Sequence, residues 1–323
     1  MGTRGYLLSK ILQALGTLLF VLVFNFFLFR VIGGDPARTL LRNKLVSPEV
    51  VANLRKDFGL DKPLIQQFVV YVDDVRHGNF GLSYSTRRPV SEVIGERVQW
   101  TLVLIGVSTL GSVIIGIFVG IYAAWRRGSA FDVSSTGFSL VLYSMPEFWL
   151  GIMLLIVFSS MLGWFPSRGV VTPGADLSGL DYVVDVANHM FLPALTLTLA
   201  YIGEFALVMR SSLLDVMGED YIQTARAKGL RDRLVRTKHA VPNALLPTVS
   251  LIALHIGFII GGEITVETVF SWPGLGLLSY EALRAPDYPL LQGLFLLFSA
   301  AVIVANLVAD ILYGYLDPRI RRA

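Results

Sequence analysis

Five ionisable side chains interrupt otherwise apolar stretches of this sequence, and they are the residues best suited to chemistry. They are Glu147, Glu204, His255, Glu263 and Glu267. An ionisable group in hydrocarbon is costly, so such residues usually line a polar pathway or pair with one another. Glu263 and Glu267 are four residues apart and would share one face of a helix. These groups predict either a water-filled path for a polar molecule or a set of interhelical hydrogen bonds.

The composition around these residues predicts that most of the chain lies in lipid. Of 323 residues, 54% are hydrophobic and only 16% are charged, compared with about 25% charged in a soluble domain. The mean hydropathy is +0.63. The net charge is +3, but the basic residues flank apolar spans, so we assign them to membrane orientation rather than to nucleic acid. The lack of cysteine excludes disulfides, thiolate metal sites and cysteine catalysis.

Six apolar segments are long enough to cross a hydrocarbon core, which needs roughly 20 helical residues. They are 7–32, 98–124, 133–162, 191–209, 245–270 and 290–313. Because unpaired backbone groups are not tolerated in lipid, each segment is predicted to be a helix. Pro146 is predicted to kink the third one. The predicted fold class is therefore all-α, a polytopic membrane protein with six transmembrane helices.

The Lys and Arg residues of the short segments place both chain ends on the cytoplasmic side, because one set of these segments carries 14 of them and the opposite set only two. The long loop 33–97 does not count under this rule. The predicted regions are a tail and first helix at 1–32, an extracytoplasmic loop at 33–97, a membrane domain at 98–313 and a cytoplasmic tail at 314–323. In the loop, Ser47 starts one predicted helix that Gly59 ends, and Pro63 starts a second that ends near Gly78. The loop is therefore predicted to be structured and to cap the membrane helices.

The cytoplasmic loop 210–244 contains an unusual basic stretch with small residues, TARAKGLRDRL. Asp220 suits the positive end of a helix dipole and Gly229 is a typical C-terminal stop, so residues 220–228 are predicted to form a short helix. One face of that helix would carry Tyr221, Thr224, Ala225 and Lys228. A face with a small centre favours docking into a groove of a soluble partner. The alternative is a solvated loop whose basic residues only set the orientation.

This stretch resembles the EAA loop of ABC importer permeases, with Gln and Thr in place of the first Glu and Ala. The positions assigned to that loop are Asp220, Tyr221, Gln223, Thr224, Ala225, Arg226, Lys228, Gly229 and Pro242. The stretches HAVPNALLP, VETVFSWPGLG and DYPLLQG are similar to the peptide/nickel subgroup of these permeases. GLDKPL, GNFGLSY and RPV resemble its first permease subunit, as in dipeptide and oligopeptide importers. The resemblance covers nearly the whole chain.

The resemblance implies a type I ABC importer fold with a structured outer loop between helices 1 and 2. The chain would form half of a pathway for di- or oligopeptides in a prokaryotic plasma (inner) membrane. Its implied partners are a second, similar permease, two ATPase subunits and an extracytoplasmic solute-binding protein. The short helix would be a coupling helix, with Gly229 letting the two halves of the loop change angle. No G-x-x-x-x-G-K-[ST] phosphate loop occurs, so ATP and Mg²⁺ would be used by the partners, and this chain would bind no cofactor.

The roles of the five ionisable residues stay open at this point. Glu147 either lines the cavity and attracts a peptide's amino terminus, or pairs with a neighbouring helix or the sister subunit. For Glu204, an interhelical hydrogen bond or a link near the cytoplasmic gate is expected ahead of direct contact with substrate. For His255, a hydrogen bond within the packed helices is expected ahead of a role in binding cargo. Glu263 and Glu267 are expected toward the outer end of their span, where they line the outward mouth, form the seat for the binding protein or form a solvated helix end.

The turn SWPGLG resembles an outer gate or docking element through Trp272, Pro273 and Gly274, although Trp272 also suits a plain turn at the membrane interface.

Other functions remain as alternatives. An intramembrane enzyme is disfavoured because no paired motif such as H-E-x-x-H occurs. A proton-driven secondary transporter would use Glu147 or Glu204. ABC import of nickel or another small solute is also possible, although the scattered histidines show no metal-ligand spacing. We therefore predict a transport subunit without catalytic residues or a metal site.

Overall fold

The computed structural model describes residues 3–32, 61–258 and 263–316, and these are almost entirely helical. The isolated β-bridge among them joins Leu82 to Pro89. The helix predicted to start at Ser47 and the chain from residue 317 onward lie outside the described residues. The chain divides into two compact units, Met1–Gln99 with Gly274–Ala323 and Trp100–Pro273.

The described helices follow one another with short connections. They are α1 Thr3–Phe27, α2 Leu64–Arg76, α3 Val90–Trp125, α4 Ala130–Ser144, α5 Glu147–Leu154, α6 Gly179–Met217, α7 Asp220–Ala227, α8 Asp232–Leu234, α9 Val241–Phe258, α10 Ile264–Val269, α11 Leu275–Arg284 and α12 Tyr288–Leu316. Wider π-helical turns extend α1 at Leu28–Ile32 and α5 at Leu155–Met161, and a third joins α8 to α9 at Val235–Ala240.

Four of the described helices are long and apolar enough to cross a membrane, and the pair α4 and α5 makes a fifth if it counts as one span. The four segments are Leu8–Arg30, Val90–Trp125, Gly179–Met217 and Tyr288–Val308. They correspond to the predicted spans 7–32, 98–124, 191–209 and 290–313. The predicted span 245–270 is not one helix, because Glu263 has φ −103° and ψ 81° immediately before α10.

The prediction of one kinked helix over 133–162 is wrong, because the chain breaks completely at Pro146. Met145 and Pro146 are extended, with ψ of 133° and 130°, and the helices on either side meet at 102°. The residue before a proline avoids the helical region, and proline itself has no N–H to donate. The break therefore makes Glu147 the first residue of a new helix.

In the first unit, one buried carboxylate joins two stretches that are distant in sequence. Asp287 is 1% exposed, and its Oδ2 accepts hydrogen bonds from Ser83 Oγ at 2.7 Å and from Ser85 Oγ at 2.9 Å. Its Oδ1 accepts from Leu290 N at 3.3 Å, at the start of α12. The stretches GNFGLSY and DYPLLQG are thereby parts of one structural feature. The helix predicted between Pro63 and Gly78 is present as α2.

The second unit is built around α6, whose buried residues recur every three or four positions along its length. Helices α4, α5, α9 and α10 all pack against it. Two glycines of α3 also allow it to lie close to α6. A Cβ atom on Gly116 would lie 2.6 Å from Phe205 Cβ, and one on Gly120 would lie 2.6 Å from Ala206 O. Small residues are the usual means of close helix contact in membranes. This packing brings side chains of α5, α6 and α9 together with Glu263, the residue that precedes α10.

Candidate functional site

The short helix α7 ends in a glycine motif, as the sequence predicts. Gly229 has φ +74°. Its N–H donates to Arg226 O at 2.9 Å, while Leu230 N–H donates to Ala225 O at 3.4 Å. This is the Schellman arrangement, in which a left-handed residue lets the last carbonyls of a helix find donors. Gly229 therefore has a defined structural role as the stop of α7.

One face of α7 is buried against the same chain. Ile222 is fully buried, and Ala225 is 6% exposed. They belong to an apolar cluster, here named the anchor cluster, whose buried members are Ala124, Met209, Leu213, Ile222, Ala225, Val235, Ala240 and Ala244. The expectation that Ala225 lies on the outward face is therefore wrong. Its small side chain instead lets α7 lie close to the ends of α6 and α9.

The outward face of α7 is polar. Its exposed polar residues are Asp220, Tyr221, Gln223, Thr224 and Arg226, and the exposed Lys228 follows directly after the helix. Partial burial of the ring, and to a smaller extent the nearby Glu219 carboxylate, raise the pKa of the Tyr221 hydroxyl, which remains neutral. Pro242, which the sequence assigned to the same loop, lies in the first turn of α9. The face offers charge and hydrogen-bonding groups while its apolar side is covered.

A buried ion pair joins α4 to the C-terminal half of α6. Arg210 Nε donates to Asp132 Oδ1 at 2.6 Å, and Arg210 Nη2 donates to Asp132 Oδ2 at 3.0 Å. The Asp132 side chain is 4% exposed, and that of Arg210 is 25% exposed. Such bidentate pairs fix geometry as well as adding energy. Because Arg210 follows Met209 of the anchor cluster, the pair ties α4 to the part of α6 on which α7 rests. Sequence reasoning assigned Arg210 only to membrane orientation.

Four of the five predicted pathway residues meet around a tyrosine. We name Glu147, Tyr201, Glu204, His255 and Glu263 the polar cluster. Tyr201 hydroxyl donates to Glu263 Oε1 at 2.5 Å, and the Glu147 carboxyl group lies near both. Glu147 reaches this position because the break at Pro146 turns α5 toward α6.

The second half of the polar cluster is an imidazole–carboxylate pair. His255 Nε2 lies 3.0 Å from Glu204 Oε2, and the His255 ring meets the Tyr201 ring edge-on at 5.0 Å between centroids. Tyr201 was missed by the sequence reasoning. The available signal was the position of Tyr201 in an apolar segment, one helical turn before Glu204, because a buried tyrosine hydroxyl needs a hydrogen-bond partner. The cluster thus joins α5, α6, α9 and the residue that precedes α10.

Two other predicted residues are buried away from this cluster. Glu267 is 0% exposed and accepts a hydrogen bond from Thr101 Oγ1 at 3.0 Å. Trp272 is also 0% exposed, and its Nε1 donates to Trp100 O at 3.0 Å. Glu267 is therefore neither a solvated helix end nor part of an open mouth, and the Trp272 side chain is packed inside the protein. Pro273 follows it, and Gly274 is the residue that precedes α11.

The sequence matches two families of transport components. Residues 116–322 match the family described as binding-protein-dependent transport system inner membrane component. Residues 4–105 match the corresponding N-terminal family of membrane components of such systems.

Several transport proteins are similar along their full length. The dipeptide transport system permease protein DppB of Escherichia coli (strain K12) is 39% identical over 336 residues, which cover 98% of this chain and 99% of the relative. The glutathione transport system permease protein GsiC of Salmonella typhi is 41% identical, with 98% of each chain covered. A solved structure of the MetNI methionine ABC transporter, in inward facing conformations, has a TM-score of 0.54 at 18% identity and covers 70% of this chain and 96% of that one. The last similarity concerns the fold alone.

Removing either partner of the Asp132–Arg210 pair should destabilise the fold. We expect Asp132→Asn and Arg210→Gln each to cost about 2–4 kcal/mol, between the values typical of exposed and of fully buried pairs. The double variant should cost clearly less than the sum of the two, because no buried charge is left alone. Thermal unfolding of the purified chain measures this.

The exposed pair of Arg88 and Glu96 serves as the control, with side chains 45% and 58% exposed. Glu96→Gln should unfold at nearly the wild-type temperature. Additive losses in the Asp132/Arg210 double variant would show that the two residues are not coupled.

Proposed function

The chain belongs to the family of inner membrane components of binding-protein-dependent transport systems, and from that premise we propose that it is the permease subunit of an ATP-driven importer of di- or oligopeptides. It is a transport subunit, not an enzyme. The observation that carries the proposal is its full-length similarity to a dipeptide permease. A relative named for glutathione transport also supports a peptide cargo.

The proposed topology has six spans with both termini in the cytoplasm. Four of these spans are the helices that are long enough by themselves, and the fifth is the broken pair of α4 and α5. The sixth is α9 together with the chain that follows it. The excess of Lys and Arg in one set of short segments supports this orientation. In this topology residues 33–97 lie outside and cap the membrane helices, and α7 lies inside.

In the proposed mechanism α7 is the coupling helix. Its polar outward face would contact one of two ATPase subunits, and its buried face would pass the resulting movement to α6 and α9 through the anchor cluster. ATP and Mg²⁺ would be bound by those subunits. A second permease would complete the pathway, and an extracytoplasmic solute-binding protein would deliver the cargo. ATP can shift the permeases between outward and inward states only by binding the two states differently.

The polar cluster is proposed to line the translocation pathway. Its residues are half-buried, and Glu147 is the first residue of α5, directly after the break at Pro146. The carboxyl group of Glu147 would attract the amino terminus of a peptide, as expected for an acid that lines a polar pathway. Trp272, Pro273 and Gly274 remain proposed as parts of an outer gate, although Trp272 would act there from a buried position.

Uptake by reconstituted vesicles tests the proposed function. We expect the chain to co-purify with a second permease and two ATPase subunits, and this assembly to accumulate a radiolabelled dipeptide only when ATP and the solute-binding protein are supplied. Unlabelled di- and oligopeptides should compete, whereas Ni²⁺ should not.

Other outcomes of the same assay would favour the alternative functions. ATP-dependent uptake of Ni²⁺ without competition by peptides would change the cargo to a small solute. Uptake that persists without ATP but stops when a protonophore is added would indicate a proton-driven transporter and overturn the proposal.

Reaction with an aqueous thiol reagent tests the pathway role of Glu147. Because this chain contains no cysteine, Glu147→Cys introduces a single site for a charged methanethiosulfonate, which reacts with thiolates in water. We expect modification, and protection by excess dipeptide. The matched control is Phe148→Cys, whose native side chain is 48% exposed and apolar and is expected to face lipid, so it should stay unmodified. An unreactive Glu147→Cys would favour a purely structural carboxyl group.

A further inference from the structure

An open groove of about 580 Å³ lies beside the C-terminal end of α3. Its apolar lining includes Phe118, Ile121, Tyr122, Phe131 and Val241. Several of these rings are exposed, with Phe118 at 70% and Phe131 at 39%. Phe118, Ile121 and Tyr122 fall within the predicted span 98–124. This lining therefore lies at membrane depth, where the available occupants are mostly acyl chains.

Arginines lie at the edge of this apolar surface. Arg236 lines the groove itself, and its guanidinium lies 5.4 Å from the centre of the Trp125 ring. The guanidinium of Arg126 lies 4.7 Å from the centre of the Tyr122 ring, which also lines the groove. Stacking on an aromatic ring holds a guanidinium in place while leaving its N–H groups available. Two positioned cations therefore border an apolar channel.

The nearby acids do not neutralise these arginines. Asp132 is occupied by the bidentate pair with Arg210. No carboxylate of the described residues forms an ion pair with Arg126 or Arg236, and this includes Asp232, four residues before Arg236. The groove thus combines an apolar channel with an unneutralised, strongly hydrogen-bonding cationic edge.

We infer that this groove binds one anionic phospholipid, with the headgroup phosphate held by Arg236 and Arg126 and an acyl chain lying along the Phe118 and Phe131 side chains. A guanidinium pairs well with phosphate oxygens, and basic pockets between membrane helices are suited to anionic headgroups. Free phosphate would leave the apolar lining exposed, so a lipid is the better occupant. The inference goes beyond the proposed transport function and depends only on α3 crossing the membrane.

The site also has a position relevant to the transport cycle. Arg236 lies in the π-helical segment Val235–Ala240, between α7 and α9, and its neighbour Val235 is a fully buried member of the anchor cluster. A bound lipid would therefore contact the segment that connects the proposed coupling helix to the membrane.

Native mass spectrometry of the purified transporter complex tests the inference, with phosphatidylglycerol and phosphatidylcholine as probes. We expect wild-type complex to retain phosphatidylglycerol under delipidation that removes phosphatidylcholine. Arg126→Gln with Arg236→Gln should weaken phosphatidylglycerol binding about fivefold for each arginine removed. Arg126→Lys with Arg236→Lys keeps the charge and should retain most of the binding. Glycerol phosphate, which has no acyl chains, should not compete.

The matched control is Arg233→Gln, which removes an exposed arginine three residues from Arg236 and should bind phosphatidylglycerol like wild type. Equal retention of the two lipids by the wild-type complex would overturn the inference. So would unchanged phosphatidylglycerol binding by the double glutamine variant, or a complex in which a partner subunit fills the groove. Thermal unfolding of each variant checks that the fold is retained, and readouts based on lipid mass do not depend on transport.

Discussion

The packing of α7 on the ends of α6 and α9 is the contact on which the proposed mechanism depends. A helix of 8 residues is too short to be stable alone in water, so its conformation rests on the burial of Ile222 and Ala225. The anchor cluster takes residues from α6 before it and from the segments after it. A push on α7 would therefore reach both neighbouring helices directly. Gly229 supplies the backbone conformation that ends α7, and its role in letting the two halves of the loop change angle stays a prediction.

A second constraint acts inside the membrane, where every polar group needs a partner. The break at Pro146 creates a helix start within an apolar region, and Glu147 is placed there beside Tyr201 and Glu263. The Asp132–Arg210 pair fixes the beginning of α4 to α6 near the anchor cluster. Helices α4 to α6 thus connect the proposed coupling surface at one end with the polar cluster at the other.

The sequence predicted those features that depend on local chemistry. Gly229 marked the end of α7, Pro63 marked the start of α2, and long apolar runs marked the four helices that can span a membrane. Four of the five ionisable residues chosen for their cost in lipid do meet in one cluster. These signals are local because caps, proline and desolvation act on single residues.

The features that depend on tertiary packing were not predictable in this way. Helical spacing placed Ala225 beside Tyr221 and Thr224, but only the packed structure shows that the small side chain faces inward. Trp272 and Glu267 carry groups typical of a membrane interface, yet each finds a buried partner on α3. The pairing of Asp132 with Arg210 joins residues 78 positions apart. Pro146 signalled a disturbance of the helix, but the 102° turn depends on what α5 packs against.

The most direct test of the account is cross-linking from α7 in the assembled transporter. Thr224→Cys and Ala225→Cys each place the chain's single cysteine on adjacent residues, one exposed and one 6% exposed, for attachment of a thiol-linked benzophenone. The account predicts that illumination cross-links the probe in the Thr224→Cys variant to an ATPase subunit. The probe in the Ala225→Cys variant should form cross-links only within its own chain. Failure of Thr224→Cys to reach any ATPase subunit, with or without ATP, would contradict it, as would equal cross-linking from the two positions.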